Sequence, residues 1–302
     1  MKYRERLVLI QKAAGLSQEQ LAAQLNVSFA TLNSWINERS QPRPKALVAI
    51  EKLYLDTVGV DAIDAQVLRA TKQAALTLRS SAQAIVRDKH KLDTLTLYLT
   101  YHTNTIEGST MTLSDVDDVI FQHKVLANRT AIEQAEARNH QATLHWLLDE
   151  LTTPNFVIDE ALILGIHLRL MNGIMSDAGQ FRKHSVRIMG SHVALTNWLK
   201  VPESIHELVT VPCADADIIN ILANTHARFE QIHPFSDGNG RTGRLLMLAQ
   251  ALQVGQMPPV VVKERKYAYY KYLEMAQTQA DYSPLELFIA ESIQATDELL
   301  KR

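Results

Sequence analysis

Apolar positions recur at helical spacing along most of the chain. From Asp217 to Ile232, the residues Ile218, Ile221, Leu222, Thr225, Phe229 and Ile232 mark one helix face, and Leu245 to Ala249 continues into a second apolar helix. Between them lies a polar, glycine-rich loop, His233 to Arg244. Earlier segments repeat the pattern. Leu7 and Ile10 start a helix that Gly15 ends, and Ser17 with Gln20 forms a capping box that opens Glu19 to Leu25. Ser28 opens a third helix through Trp35 and Ile36, and Pro42 and Pro44 precede a fourth, Lys45 to Tyr54.

Further on, Val60–Lys72 and Ala74–Arg87 read as helices, and Leu92 to Gly108 as another. Thr112 or Ser114 caps Asp115–Lys124, residues 131–152 and 159–172 are amphipathic, and Ser283-Pro284 starts the last helix. Alternation at Val186 and Ile188 with a Gly190-Ser191 turn predicts one small β-hairpin. The expected fold class is mainly α. The expected domains are a helix-turn-helix over 1–55, a helical connector over 56–90, and a helical domain over 91–302.

Composition narrows this only a little. A hydrophobic content of 46%, a charged content of 21% and a net charge of −2 describe an ordinary globular chain without a global pull toward nucleic acid or membrane. One cysteine, Cys213, excludes an intrachain disulfide and fits a reducing compartment. The run Leu7-Val8-Leu9-Ile10 is too short for a signal-peptide core, and no stretch approaches a membrane span. The expected location is cytoplasmic. Residues 1–53 differ from the whole, with eight Lys/Arg against four Glu, a local balance of +4.

The loop His233-Pro-Phe-Ser-Asp-Gly-Asn-Gly-Arg-Thr-Gly-Arg244 carries the chemistry. Backbone N–H groups of Gly238, Asn239 and Gly240 at a helix start lack intrahelical partners and form an anion site. Arg241 and Arg244, one turn apart, put two guanidiniums on one side to grip phosphate. Asp237 beside them suits Mg²⁺, and His233 can take a proton near neutral pH. The set reads as a phosphoryl or nucleotidyl transfer site. His140 and His145, five apart and so splayed by roughly 140°, do not suit a shared metal, and His167 reads as a packed helix residue.

The loop resembles the signature of the Fic family, His-x-Phe-x-Asp-Gly-Asn-Gly-Arg-x-x-Arg, at every defined position. The resemblance implies transfer of AMP from Mg²⁺-ATP to a protein hydroxyl. His233 would be the base, Asp237 the magnesium ligand and Phe235 a core anchor. Gly238, Asn239 and Gly240 would cradle phosphate, with Arg241 and Arg244 on the distal phosphates. Relatives that phosphorylate carry lysine in place of Gly240 and lack the last arginine, whereas this chain has Gly240 and Arg244. Thr103-Asn104-Thr105-Ile106-Glu107-Gly108 is similar to the family's inhibitory helix, which implies a Glu107–Arg244 pair steadied by Thr103. Val186, Ile188 and Gly190 resemble the family's flap for the target peptide, although Ala194-Leu195-Thr196-Asn197 stands where many relatives have a proline pair. Tyr270 and Gln277 fall where relatives line the adenine pocket. Some relatives also remove AMP, and the sequence leaves that direction open.

The first fifty residues resemble the phage-repressor (XRE-like) helix-turn-helix family. That resemblance implies DNA contacts from Ser28, Thr31, Asn33 and Ser34, with phosphate contacts from Arg39, Arg43 and Lys45. One such domain binds weakly, so specific binding asks for a homodimer. A protein-interaction module is the other reading of this domain. For the whole chain, the alternative to an enzyme is a DNA-binding transcriptional regulator whose second domain senses nucleotide. The intact His233 and Asp237 speak against a mere sensor, because sensing needs no base. No membrane partner is expected.

Overall fold

A computed structural model describes residues 3–60, 63–188, 191–210 and 217–301. The chain separates into two compact units, residues 1–63 with 264–272, and residues 64–263 with 273–302.

The first unit holds α1 (Tyr3–Ala14), α2 (Gln18–Gln24), α3 (Phe29–Ile36) and α4 (Pro44–Thr57). Its boundaries follow from local chemistry. Gly15 ends α1 at φ +62°, and the Ser17–Gln20 box opens α2 reciprocally at 3.2 and 2.8 Å. Asn26 takes a left-handed conformation in the turn, and Ser28 accepts the Thr31 N–H to cap α3. Leu7, Ile10, Leu21, Leu32, Ile50 and Tyr54 close over one core. Ala268, from far along the chain, completes it.

The second unit is built mainly of helices. It contains α5 (Ala65–Leu76), α6 (Ala82–Arg87), α7 (Lys89–Ile106), α8 (Leu113–Ile120), α9 (Ala131–Glu150) and α10 (Glu160–Leu170). These are followed by α11 (Val201–Val209), α12 (Ile218–Ile232), α13 (Asn239–Gln253), α14 (Lys266–Gln279) and α15 (Ser283–Leu300). Helix α14 starts within the first unit and ends in the second. Helix α13 is the centre: it packs on α7, α9, α10 and α12, and Leu245 to Leu252 are nearly all inaccessible. A helix apolar on every side belongs inside such a bundle.

Two sequence expectations are corrected here. The helix expected from Val60 begins only at Ala65, because the Asp64 carboxylate accepts the Gln66 and Val67 N–H groups and caps it there. The helix expected over Ala74–Arg87 is interrupted between α5 and α6. There the Ser80 N–H donates to the Gly255 carbonyl and the Met257 N–H to that of Leu78, so tertiary pairing replaces the helical ladder. The expected hairpin is absent as paired strands: residues 185–188 and 191–197 have no ladder, and Met189 and Gly190 lie outside the described residues. A lone two-stranded hairpin is marginal without a third strand.

Candidate active site

The loop 233–238 turns the chain from α12 into α13, and its shape is fixed from several sides. His233 ends α12 with φ +49°, a left-handed conformation unusual for a residue with a Cβ. Phe235 is buried among Ile163, Phe229, Ile232 and Leu246, and its ring stacks on that of His167 at 3.7 Å. The Asn239 side chain closes the loop on itself: Oδ1 accepts the Phe235 N–H at 2.8 Å and Nδ2 donates to the Phe235 carbonyl at 2.9 Å. Asn239 therefore supports the turn with its side chain and faces the anion site with its backbone. His167 joins in as well. Its Nδ1 accepts the Gly179 N–H at 2.9 Å, which leaves Nε2 to donate to the Asp237 carbonyl at 3.0 Å.

Helix α13 begins without any side-chain cap, after Gly238 at φ +77°. The Gly238 N–H is taken by the Asp237 carboxylate at 2.6 Å. The next amides, at the positive end of the helix dipole, form the anion site. Asp237 itself is exposed, with Arg241 Nη2 3.7 Å away.

The base is set for its task. His233 Nδ1 lies 3.2 Å from the Glu230 carbonyl. A carbonyl can only accept, so Nδ1 carries the proton and Nε2 keeps its lone pair. Burial lowers the His233 pKa, with the nearby Arg182 charge acting in the same direction and the Glu230 bond against it.

Both signature arginines are buried and paired. Arg241 donates to the Glu136 carboxylate on α9 at 2.6 Å. Arg244 Nε donates to Thr103 Oγ1 at 2.7 Å, and its Nη2 pairs with the Glu107 carboxylate at the end of α7. That carboxylate lies against Gly240, so close that a side-chain carbon there would collide with Glu107 Oε1 and crowd Arg244 Nη1. Thr103, Glu107, Gly240 and Arg244 are thus brought together, with an anionic group already over the helix N-terminus.

Beneath lies a buried polar layer, in which His167 is packed as the sequence reading expected while Glu230 and His226 escaped it. Glu230 is buried beside Gly243, and burial raises its pKa to about 8 against the pull of Arg244. His226 and His140 are pushed down to about 3, mainly by burial and then by the arginine charges, and His167 to about 4 by burial. His140 bonds Thr100 at 2.8 Å and His145 bonds Thr96 at 3.0 Å, each a packing contact between α9 and α7. The glutamate at position 136 and Arg182 carry no local motif. Only the spatial neighbourhood marks them.

The remaining expected residues fall as follows. Val186 and Ile188 line a cavity of about 470 Å³ together with residues 191–197. Gln277 Nε2 donates to the Ala227 carbonyl at 2.9 Å, so its amide is engaged with α12. Tyr270, in the first unit, is 41% exposed with its ring against Tyr269. In the helix-turn-helix, Ser28 and Thr31 share a cap, Asn33 accepts from Asn37 and donates to Gln18, and Ser34 bonds Ser40. Arg39, Arg43 and Lys45 are exposed.

A helical bundle with a glycine-rich turn entering a buried, arginine-bearing helix defines the class, and comparison with known proteins agrees. Residues 157–251 match the Fic/DOC family and residues 10–54 match a helix-turn-helix family. The chain thus carries a Fic domain, preceded by a helix-turn-helix domain. It is 31% identical over 212 residues to a protein adenylyltransferase Fic of Nematostella vectensis, covering 65% of this chain and 46% of that protein. A protein of the same name from Aedes aegypti is 29% identical, over 66% and 40% of the two chains. The chain therefore spans less than half the length of these curated relatives. Among solved structures, Fic-1 (residues 134–508) of C. elegans shares the fold at a TM-score of 0.68 and 24% identity, covering 99% of this chain and 95% of that one. A Fic family protein of Desulfovibrio desulfuricans G20 aligns at a TM-score of 0.63 and 25% identity, over 79% and 74% of the two chains.

Proposed function

We propose that this protein is a protein adenylyltransferase that moves AMP from ATP to a hydroxyl side chain of a target protein, and that it is held back by Glu107. The observation that carries the reading is the uncapped start of α13, flanked by a neutral imidazole with a free Nε2 and by the buried Arg244. His233 Nε2 takes the proton of the incoming hydroxyl, whose oxygen attacks the α-phosphorus, and pyrophosphate leaves. The amides after Gly238 hold phosphate oxygens, and Arg241 and Arg244 carry the distal phosphates.

Asp237 fits a magnesium ion that is shared with phosphate. It offers an exposed carboxylate beside the anion site, while no group of three or more His, Cys, Asp or Glu gathers anywhere among the described residues. Magnesium commonly takes one or two carboxylates plus phosphate oxygens and water, and when bound it neutralises charge on the phosphates. The names of the curated relatives support ATP as co-substrate.

Glu107 restrains the site because its carboxylate lies where a terminal phosphate would meet Arg244 and the α13 amides. The same carboxylate can orient a water, so removal of AMP by the same site belongs to this proposal. The test is labelled ATP offered to wild type, Glu107→Gly and His233→Ala proteins with cell extract. Label on protein that rises in the first variant and vanishes in the second supports the reading. Equal labelling of wild type and His233→Ala would sink it.

The helix-turn-helix supports DNA as a second partner, through the exposed Arg39, Arg43 and Lys45, with a homodimer engaging two half-sites. DNA retention without any labelling would select instead a regulator that senses nucleotide.

A further inference from the structure

Arg182 is the second unit's least expected cation. It is 97% buried, and among the described residues no carboxylate pairs with it. Every acceptor it uses is a main-chain carbonyl. Nε donates to His233 at 2.7 Å, Nη1 to His184 at 2.8 Å, and Nη2 to Thr196 at 2.5 Å and Ile232 at 3.3 Å. Its own N–H donates to the Pro234 carbonyl at 2.9 Å. A buried cation without a counter-ion is costly, and a residue kept only for packing would not need one.

The acceptors fall into two groups. Ile232, His233 and Pro234 belong to the catalytic turn. His184 directly precedes the lining residues 185–188 of the 470 Å³ cavity, and Thr196 lies near the end of its other lining run, 191–197, with Arg182 also in the wall. One rigid guanidinium plane therefore joins His184 and Thr196, one beside each lining run, to the carbonyl of the base residue. Two further bonds run alongside: the Thr196 N–H donates to the Gln231 carbonyl at 3.2 Å, and Gln231 Nε2 to that of Ala194 at 3.5 Å.

We propose that Arg182 is a positioning residue that sets the distance between His233 and a polypeptide acceptor held in the cavity lined by residues 185–188 and 191–197. The inference rests on the transferase reading above and adds to it the element that registers acceptor against base. The fork matters as well as the charge, because an ammonium is a single point and cannot span carbonyls on two segments. The charge has a second effect: it opposes protonation of His233, against the Glu107 and Asp237 carboxylates, which favour it. Its hydrogen bonds go to the turn ahead of Gly238 and to His184 and Thr196, and none goes to Arg244, so ATP affinity is expected to survive its replacement.

The test places Arg182→Lys in the Glu107→Gly protein and follows self-labelling from labelled ATP alongside ATP affinity by calorimetry. The expected result is labelling reduced on the order of a hundredfold, as for a reacting group displaced by about an ångström. The ATP dissociation constant should stay within about twofold of the parent. Labelling retained within threefold overturns the proposal, and so does ATP affinity that falls in parallel with labelling, which would mark Arg182 as a fold residue only.

If the variant does not fold, the wild-type full chain decides by nitrogen-15 NMR. The Arg182 Nε–H should exchange far more slowly than that of the exposed Arg187, and equal exchange overturns the anchor. A Glu107→Gly parent that takes no label at all would refute the transferase reading, and the exchange measurement would still judge the anchor separately.

Discussion

The Glu107 carboxylate pairs with the Arg244 guanidinium while lying against Gly240, the second residue of α13. One carboxylate thus occupies the cation and the helix N-terminus together. Breaking a buried pair from one side costs about 3–5 kcal/mol when the remaining charge is stranded. Here Arg244 keeps Thr103, and in the proposed reaction it gains phosphate. Glu107→Gly is expected to raise transfer by about tenfold or more, since each ~1.4 kcal/mol of restraint is a factor of ten. Initial rates of labelling with both proteins at one ATP concentration check it.

Thr103→Val should weaken the same restraint from the other side. It removes the oxygen that accepts the Arg244 Nε–H inside a buried site, at a cost of about 1.5–3 kcal/mol. A lower melting temperature with labelling between wild type and Glu107→Gly is the expected pair of results. Unchanged melting would contradict the bond.

Gly240→Ala should separate relief from binding. The added methyl displaces Glu107, yet it also stands where phosphate approaches the helix. Calorimetry on the variant should show ATP affinity falling about tenfold or more, and labelled ATP should show no gain in labelling despite the lost ion pair.

The buried layer predicts a stability curve with pH. Glu230 holds its proton up to about pH 8, above the ordinary carboxyl range, so its contribution is complete below about pH 4.5 and is lost as pH rises through 8. His140 and His226, at about 3, and His167, at about 4, behave oppositely. Their contribution is present above about pH 6.5 and is lost as pH falls through those values. Three histidines outweigh one glutamate between pH 4.5 and 6.5, so the melting temperature should peak near pH 6–7 and decline toward 8. Glu230→Gln should flatten the decline above 6.5. A wild-type curve still climbing at pH 8 would contradict the assignment.

Much of this was legible because it is local. The Ser17–Gln20 box, the Thr112 cap and the His233–Arg244 loop are written in short spacings that need no tertiary information. Thr103 and Glu107 came instead from the resemblance of residues 103–108 to an inhibitory helix, and both lie beside Arg244 in space. What escaped was set by distant partners. Glu136 meets Arg241 across 105 residues, and Arg182 reaches His233 across 51, so no window of sequence contains either pair. The break between α5 and α6 arises likewise, from Gly255 and Met257 arriving to take backbone bonds that periodicity alone assigned to a helix.

The first unit draws residues 264–272 from the opposite part of the chain into its interior, with Ala268 inaccessible there and the Tyr267 hydroxyl bonded to Asp56. The polypeptide therefore crosses between the two units three times, and the repressor-like portion is not a detachable bead. A fragment cut after residue 63 would lack Ala268 and the Tyr267–Asp56 bond, so DNA-binding assays need the intact polypeptide, and a truncation that removes α14 should damage the front of the protein as well as its back.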